Sequence, residues 1–517
     1  MREYDFNITP FFRYGLPTRG ALRNNLPFLR QAKNVVIREG LLETYEDLVD
    51  PFDGTEAFAF PFPQVVVTAT KTFLFYQTTI KEVDESLYPL SASSITTYSI
   101  ADGTTPQAIV SGGIWHFAIF GKVLYAFNGA CIVFISGLDT LHGVTDRLFV
   151  ATTPTVSTGI EHNGRILMGG FNANDFWTST WGTLFTSWKA SLPTGANVSE
   201  DEIDGSYIFW SSVGDGNFPL WLSYPDIYDY DLSPTEDDII KIIARNDFGY
   251  MKMPLGGTVL GFLPIGNDIA VFTDKCVVLI TPYINENASG YGVKSVHRIG
   301  CAGRDCFAGS GDIGYFISTQ GKLWGVTSQG FLELGYEEFL LPELDGDLYM
   351  LYDDNENLLR ISGSKQYILS GKHMTHAVEL VSGTITNIYG HFGIATPGIG
   401  DDADYVELES GVFDFGRRQM KTISSILVDI SSEHTAEVSY AYRYNRTEAF
   451  EYTNWVSINS DGYAFHRITA VEFKVRIRIK GKSDTYISNG KIKYQLSDNR
   501  YTRGPEADGG LINVTLN

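Results

Sequence analysis

Cysteine is scarce: four residues in a chain of 517 cannot staple a fold of this size. Cys131 and Cys276 stand inside apolar, strand-like runs, where a buried free thiol is expected. Cys301 and Cys306 form no CxxC pair, and no second Cys/His pair follows at zinc spacing, so neither a structural metal nor a cofactor is expected. Long apolar runs are also missing. Nothing approaches the ~18 residues of a spanning helix, and the start Met1-Arg-Glu-Tyr-Asp5 has no apolar signal region, so no membrane insertion is expected. Positive charge is in deficit, with 39 Lys and Arg against 61 Asp and Glu, a net charge of −22. Such a chain repels phosphates at long range, which argues against a sequence-specific nucleic-acid binder. Helix signals are weak. Residues 21–32 are interrupted by Pro27, and residues 236–245 fit a short helix or a strand equally. No GxSxG elbow, phosphate-binding GxxxxGK[ST] loop or HExxH helix occurs, and no carboxylate pair stands out, so no enzymatic activity is expected.

Aromatic residues reach 14%, and 52 glycines accompany them, a composition of short strands and tight turns. One unit recurs: strand, two-residue polar turn, strand. Val65–Ala69 and Thr72–Gln77 flank Thr70-Lys71, and Ile114–Phe120 and Val123–Phe127 flank Gly121-Lys122. Asn163-Gly164, Gly266-Asn-Asp268 and Thr319-Gln-Gly321 serve further hairpins. Hairpins begin near residues 65, 114, 159, 207, 259, 314 and 348, a rhythm that fits the ~40–50-residue blades of a propeller. The expected fold is all-β: a β-propeller of six to seven irregular blades, with an N-terminal arm and a C-terminal β-sandwich. Two stacked sandwiches are the competing architecture.

The Gly/Pro-rich stretch Gly393–Gly400 marks a boundary. Residues 1–56 then form the arm and the lead into the first strand, 57–400 the propeller, 401–500 the sandwich and 501–517 a tail. Within the sandwich, Phe473-Lys-Val-Arg-Ile-Arg-Ile-Lys480 alternates strictly. Phe473, Val475, Ile477 and Ile479 belong to the core face, and Lys474, Arg476, Arg478 and Lys480 to the outer face.

Charge is distributed unevenly. Residues 1–410 hold 24 Lys and Arg against 49 Asp and Glu, whereas residues 411–517 hold 15 against 12. The arm is a basic exception, with Arg13, Arg19, Arg23 and Arg30 among Pro, Gly and Asn. These four arginines and the four cations of the strip are the candidate partner-contact residues. The arm reads either as a solvated terminus or as a segment docking on an acidic neighbour. The strip reads either as solvated edge-strand charge that blocks aggregation or as a contact with a neighbour's acidic surface. His373 and His376 point to opposite faces of any strand and read as a solvated loop, not a metal half-site. Asp226, Asp229 and Asp231 lack the turn glycine of a calcium loop. Ser310-Gly-Asp-Ile-Gly-Tyr-Phe316 has the first half of an Asp-box turn without the Thr-Trp that completes it.

Three stretches carry a family likeness. Ala32-Lys-Asn-Val-Val-Ile-Arg-Glu-Gly-Leu41 resembles the lead from an N-terminal arm into a first strand. Leu260–Phe272 followed by His297-Arg-Ile-Gly-Cys-Ala-Gly303 is similar to a blade and its connection. Glu409-Ser-Gly-Val-Phe-Asp-Phe-Gly416 with Val471–Ile477 is similar to a closing sandwich. The family is the tail hub, or nozzle, proteins of short-tailed phages, also called packaged-DNA stabilisation proteins. The resemblance implies a structural virion protein in the phage tail: a homo-oligomeric ring, hexameric in the family, docked below the portal–adaptor complex beside other tail proteins. The ring would retain genomic DNA in its lumen and conduct it at ejection without sequence-specific binding. A receptor- or glycan-binding virion protein, using aromatic loops such as Tyr224–Tyr230, and a propeller glycosidase are the rival readings.

Overall fold

The structure, a computed structural model, describes residues 3–18, 27–44, 63–69, 71–84, 91–94, 109–121, 123–136, 147–151, 155–172, 204–211, 249–284, 289–346, 348–354, 356–376, 385–388, 391–394, 405–417, 419–430, 436–480 and 486–497. Among these, strands dominate, and helix is confined to single turns such as Thr9–Phe12 and Glu337–Leu340. The chain divides into two compact units. Met1–Asp47, Lys365–Glu379 and Gly398–Asn517 form one; Leu48–Ser364 and Leu380–Pro397 form the other. In sequence, the second unit is inserted into the first as two segments, separated by Lys365–Glu379.

The inserted unit contains five four-stranded antiparallel meanders among the described residues. Their first strands are Gln64–Val67, His116–Phe120, Val156–His162, Val259–Ile265 and Phe307–Ser310. Tyr349–Asp353 then pairs with Leu358–Ser362, and Ile385–Ile388 with His391–Ile394. The turns follow local chemistry. Asn163 (φ +51°) and Gly164 (φ +71°) both sit in the left-handed region, which closes a two-residue hairpin in the hand that matches strand twist. The second strands Val123–Phe127 and Asp268–Thr273 are buried at every position. Sheets covered on both faces need continuous apolar runs rather than alternation.

First strands also touch one another in sequence order. The Trp115 amide donates to Gln64 Oε1 at 3.2 Å. His116 Nδ1 lies 2.7 Å from Thr158 Oγ1. Val156–His162 packs beside Val259–Ile265, and the Phe307 ring occupies the place where a side chain on Gly261 would stand. Phe307–Ser310 packs beside Tyr349–Asp353, and the Tyr349 phenol is hydrogen-bonded to Gln64. Gln64 thus meets both Trp115, ahead of the second meander, and Tyr349.

In the other unit, two sheets close over one core. One runs Val35–Arg38, Leu41–Thr44, Tyr486–Leu496, Lys421–Ile430, Tyr463–Ala470, with Glu3–Asn7 also paired to Tyr486–Leu496. The other contains Gln366–Ser370, His373–His376, Leu29–Lys33, Tyr405–Ser410, Glu472–Lys480 and Ala436–Arg443, in that order. Val406, Leu408, Ile423, Ile426, Val438, Phe473, Val475, Ile477, Ile479 and Ile492 fill the space between, beside Ile8, Phe11 and Phe12 from the N-terminus.

Three expectations need correction. The described part of residues 1–56 is no separate arm. It supplies strands to both sheets, because Val35–Arg38 and Leu41–Thr44 close a hairpin through Glu39 (φ +49°) and Gly40 (φ +80°) and bury their apolar side chains. Residues 365–376, assigned to the propeller, belong to this same unit, so the boundary near 400 is one of several crossings. His373–His376 is likewise no solvated loop but a half-buried strand paired with Gln366–Ser370.

Candidate partner-contact surface

The alternation over Phe473–Lys480 holds in the structure. Phe473, Val475, Ile477 and Ile479 are buried, and the cations face away from them. The lateral position differs from the edge-strand reading: Glu472–Lys480 is internal, paired with Tyr405–Ser410 on one side and Ala436–Arg443 on the other. Period two reports faces and not neighbours, which is why the sequence did not reveal this.

Internal position brings counter-charges. In register, Arg476 stands opposite Glu409, and Arg478 lies between Glu407 and Glu437. Lys474 Nζ lies 2.5 Å from Glu409 Oε1, and Arg478 Nε lies 2.5 Å from Glu437 Oε2. Arg476 Nε is 3.7 Å from the second oxygen of Glu409. At the end of the strand, Glu472 accepts from Arg443 Nε at 2.7 Å and Arg446 Nε at 2.8 Å. Burial alone would raise the Glu472 carboxyl, but the bonds from Arg446 and Arg443 outweigh it and hold the group below its ordinary range.

Aromatic rings from the segment after Ala436–Arg443 interleave with these cations. Phe450 lies under Arg443 (4.4 Å) and Lys474 (4.7 Å). Tyr452 and Trp455 flank Arg476 at 4.9 and 4.8 Å, and Trp455 also carries Arg478 at 4.5 Å. The result is a ladder of alternating rings and cations that fixes the sheet's outermost segment, Glu451–Ser457. Lys474 is only 5% exposed and cannot meet a partner, which removes it from the contact candidates. Arg476 and Arg478 are partly exposed, but their guanidinium groups are already engaged. The side chain of Lys480, and all of Arg19 and Arg23, lie outside the described residues. The sequence carried a faint signal of the ladder in the spacing Phe450, Tyr452, Trp455 ahead of the period-two cations.

Arg13 and Arg30 are different. Arg13 caps the single turn Thr9–Phe12, and Arg30 stands at a bulge where pairing shifts register between Leu29 and Gln31. Both are exposed, and neither pairs with a carboxylate among the described residues. They are the sequence candidates that the structure leaves exposed among the described residues.

A buried cation in the inserted unit went unnoticed in the sequence. Arg304, in the link between the fourth and fifth meanders, donates from one terminal nitrogen to Asn128 O at 2.8 Å and from the other to Ile114 O at 2.9 Å and to Ser157 O. A side chain on Gly113 or Gly129 would strike its guanidinium. Burial lowers Arg304 to about 10, so it stays charged at neutral pH. Beside it, burial and then the Arg304 charge hold His116 neutral, well below the usual histidine range. This arrangement clasps backbone and presents no nucleophile–base pair. Among the described residues, no group of His, Cys, Asp or Glu is disposed to hold a metal ion.

No protein-family model and no curated protein matches the sequence. Among solved structures, Hsv2 of Kluyveromyces lactis aligns over 59% of this chain and 78% of its own at 6% identity, with a TM-score of 0.30. Apo AztD from Citrobacter koseri aligns over 85% and 96% at 8% identity, TM-score 0.32. The extracellular domain of the putative one-component system BT4673 from B. thetaiotaomicron aligns over 82% and 47% at 10% identity, TM-score 0.33. Likeness at this level assigns neither function nor partner.

Proposed function

We propose that this protein is a structural, non-catalytic subunit of the tail hub of a short-tailed phage, one copy in a ring below the portal–adaptor complex that retains packaged DNA and conducts it at ejection. The observation that carries the reading is that Gln64 of the first meander meets both Trp115 and Tyr349. It supports a closed propeller of six blades, with the Ile385–Ile394 hairpin against the first, and this is the body that the family resemblance implies. Charge fits the role. A conduit for DNA works best when its wall does not hold phosphates, and residues 1–410 carry the acidic excess. Docking then falls to exposed cations on the other unit, Arg13 and Arg30 first.

The test is the native mass of the purified protein as a function of ionic strength, with duplex-DNA binding measured in parallel. A ring of defined order that loosens in high salt, with weak DNA binding, is expected. Exposed pairs contribute only about 0.2–1 kcal/mol each, so many must act together. A monomer at every concentration and salt, or tight duplex binding at physiological salt, would overturn the reading.

A further inference from the structure

The chain contains three Asn-Gly pairs, at Asn128-Gly129, Asn163-Gly164 and Asn489-Gly490. Each can undergo the same spontaneous reaction. The glycine backbone nitrogen attacks the Asn carboxamide carbon, ammonia leaves, and a five-membered succinimide forms. Water then opens the ring to aspartate, or to isoaspartate with the backbone rerouted through the side chain. The step needs an accessible carboxamide, a backbone nitrogen free to turn toward it, and a base for the amide proton.

The structure separates the three. Asn128 is fully buried, and both ends of its carboxamide are engaged. Nδ2 donates to Val110 O at 2.9 Å, and Oδ1 accepts from the amides of Ala130 and Cys131, each at 2.9 Å. Gly129 N is committed to Val156 O at 3.1 Å. Asn489 Oδ1 accepts from the Thr9 hydroxyl at 2.5 Å, and the Gly490 amide donates to that same Thr9 oxygen at 3.1 Å, inside a paired strand. Either pair reacts only after its strand partners separate. Asn163, by contrast, is exposed at a hairpin tip. Its carboxamide makes one surface bond, from Nδ2 to Asn267 Oδ1 at 3.3 Å. The Gly164 amide donates not to backbone but to the Glu161 carboxylate, Oε1 at 2.9 Å. That carboxylate lies where a base must lie to take the proton as the nitrogen attacks.

We propose that Asn163 is the site at which the folded protein deamidates, with Glu161 as the assisting base. The product matters locally. A new carboxylate appears beside Glu161, and the isoaspartate form adds a backbone atom to a turn that holds His162 opposite Arg165. His162 Nδ1 is itself 3.1 Å from the buried Tyr291 hydroxyl, so the change propagates into the packing of the third meander on the fourth.

The experiment incubates the intact chain at mildly alkaline pH and maps peptides by mass, with isoaspartate labelled by protein isoaspartyl methyltransferase. Conversion at Asn163 should run at least several-fold ahead of Asn128 and Asn489, and the lead should vanish when the chain is unfolded in urea. Glu161→Gln should slow the Asn163 reaction several-fold while the thermal transition of the variant confirms that it folds. Equal rates at the three sites in the folded protein would overturn the assignment of the site. An unchanged rate in the folded Glu161→Gln variant would overturn the role of Glu161.

Discussion

A single side chain does in this protein what a longer segment does elsewhere. Arg304 satisfies three backbone carbonyls, from segments 147 to 190 residues away in sequence. Buried carbonyls without donors are costly, and a charged donor strengthens each bond it makes. Arg304→Met keeps much of the volume and removes every donor. It should lower unfolding free energy by about 3 kcal/mol or more, read as a fall in the urea midpoint. A loss well under about 1 kcal/mol would mean that water replaces the guanidinium without strain. Arg304→Lys should recover part of the loss, since one ammonium reaches fewer of the three oxygens. Gly113 and Gly129 leave room for the guanidinium; at Gly113 this is a reason for glycine independent of turn geometry, while Gly129 (φ +86°) also needs glycine for its backbone.

At the scale of elements, the ladder over Glu472–Lys480 turns charge into packing. Glu409 is the anion shared by Lys474 and Arg476. Glu409→Gln leaves the nearly buried Lys474 ammonium without a counter-charge, and a stability loss of about 3 kcal/mol is expected in urea titration. Adding Lys474→Met should restore most of it, because the remaining pair is then neutral. Failure of that rescue would place the cost in lost geometry rather than in unpaired charge. Sequence reading reached the two faces of this strand, since alternation is a local property. It missed the neighbours, since Glu409 and Trp455 come from other strands and no periodicity links them to Arg476. The same limit explains the N-terminal segment. Its arginines and prolines suggested a free arm, while Val35-Val-Ile and Leu41-Leu carried the strand signal that proved decisive. In the inserted unit, by contrast, turn chemistry located hairpins well, because each hairpin is closed by its own two residues.

For the whole molecule, five buried or half-buried histidines act in one direction. His116, His162, His373, His376 and His466 are each lowered chiefly by burial, His376 to about 4. Their folded pKa lies below the unfolded value near 6.5, so the unfolded chain takes up protons first as pH drops. Stability is full above about pH 6.5 and should fall progressively toward about pH 4, with His376 alone contributing on the order of 3 kcal/mol. Urea midpoints across that range check it, and a midpoint unchanged down to about pH 4 would contradict the burial of these rings. One consequence concerns synthesis. The last described strand, Tyr486–Leu496, is the pairing partner of Glu3–Asn7 and of Leu41–Thr44. On a ribosome Glu3–Asn7 leaves the exit tunnel without its partner and Leu41–Thr44 can pair only with Val35–Arg38, and at bacterial speeds both wait on the order of tens of seconds for Tyr486–Leu496. The inserted unit can fold in that interval. The other unit lacks Tyr486–Leu496 until translation passes that segment, so a nascent chain cut between Pro397 and Tyr486 carries the whole insert and an incomplete sheet beside it in sequence.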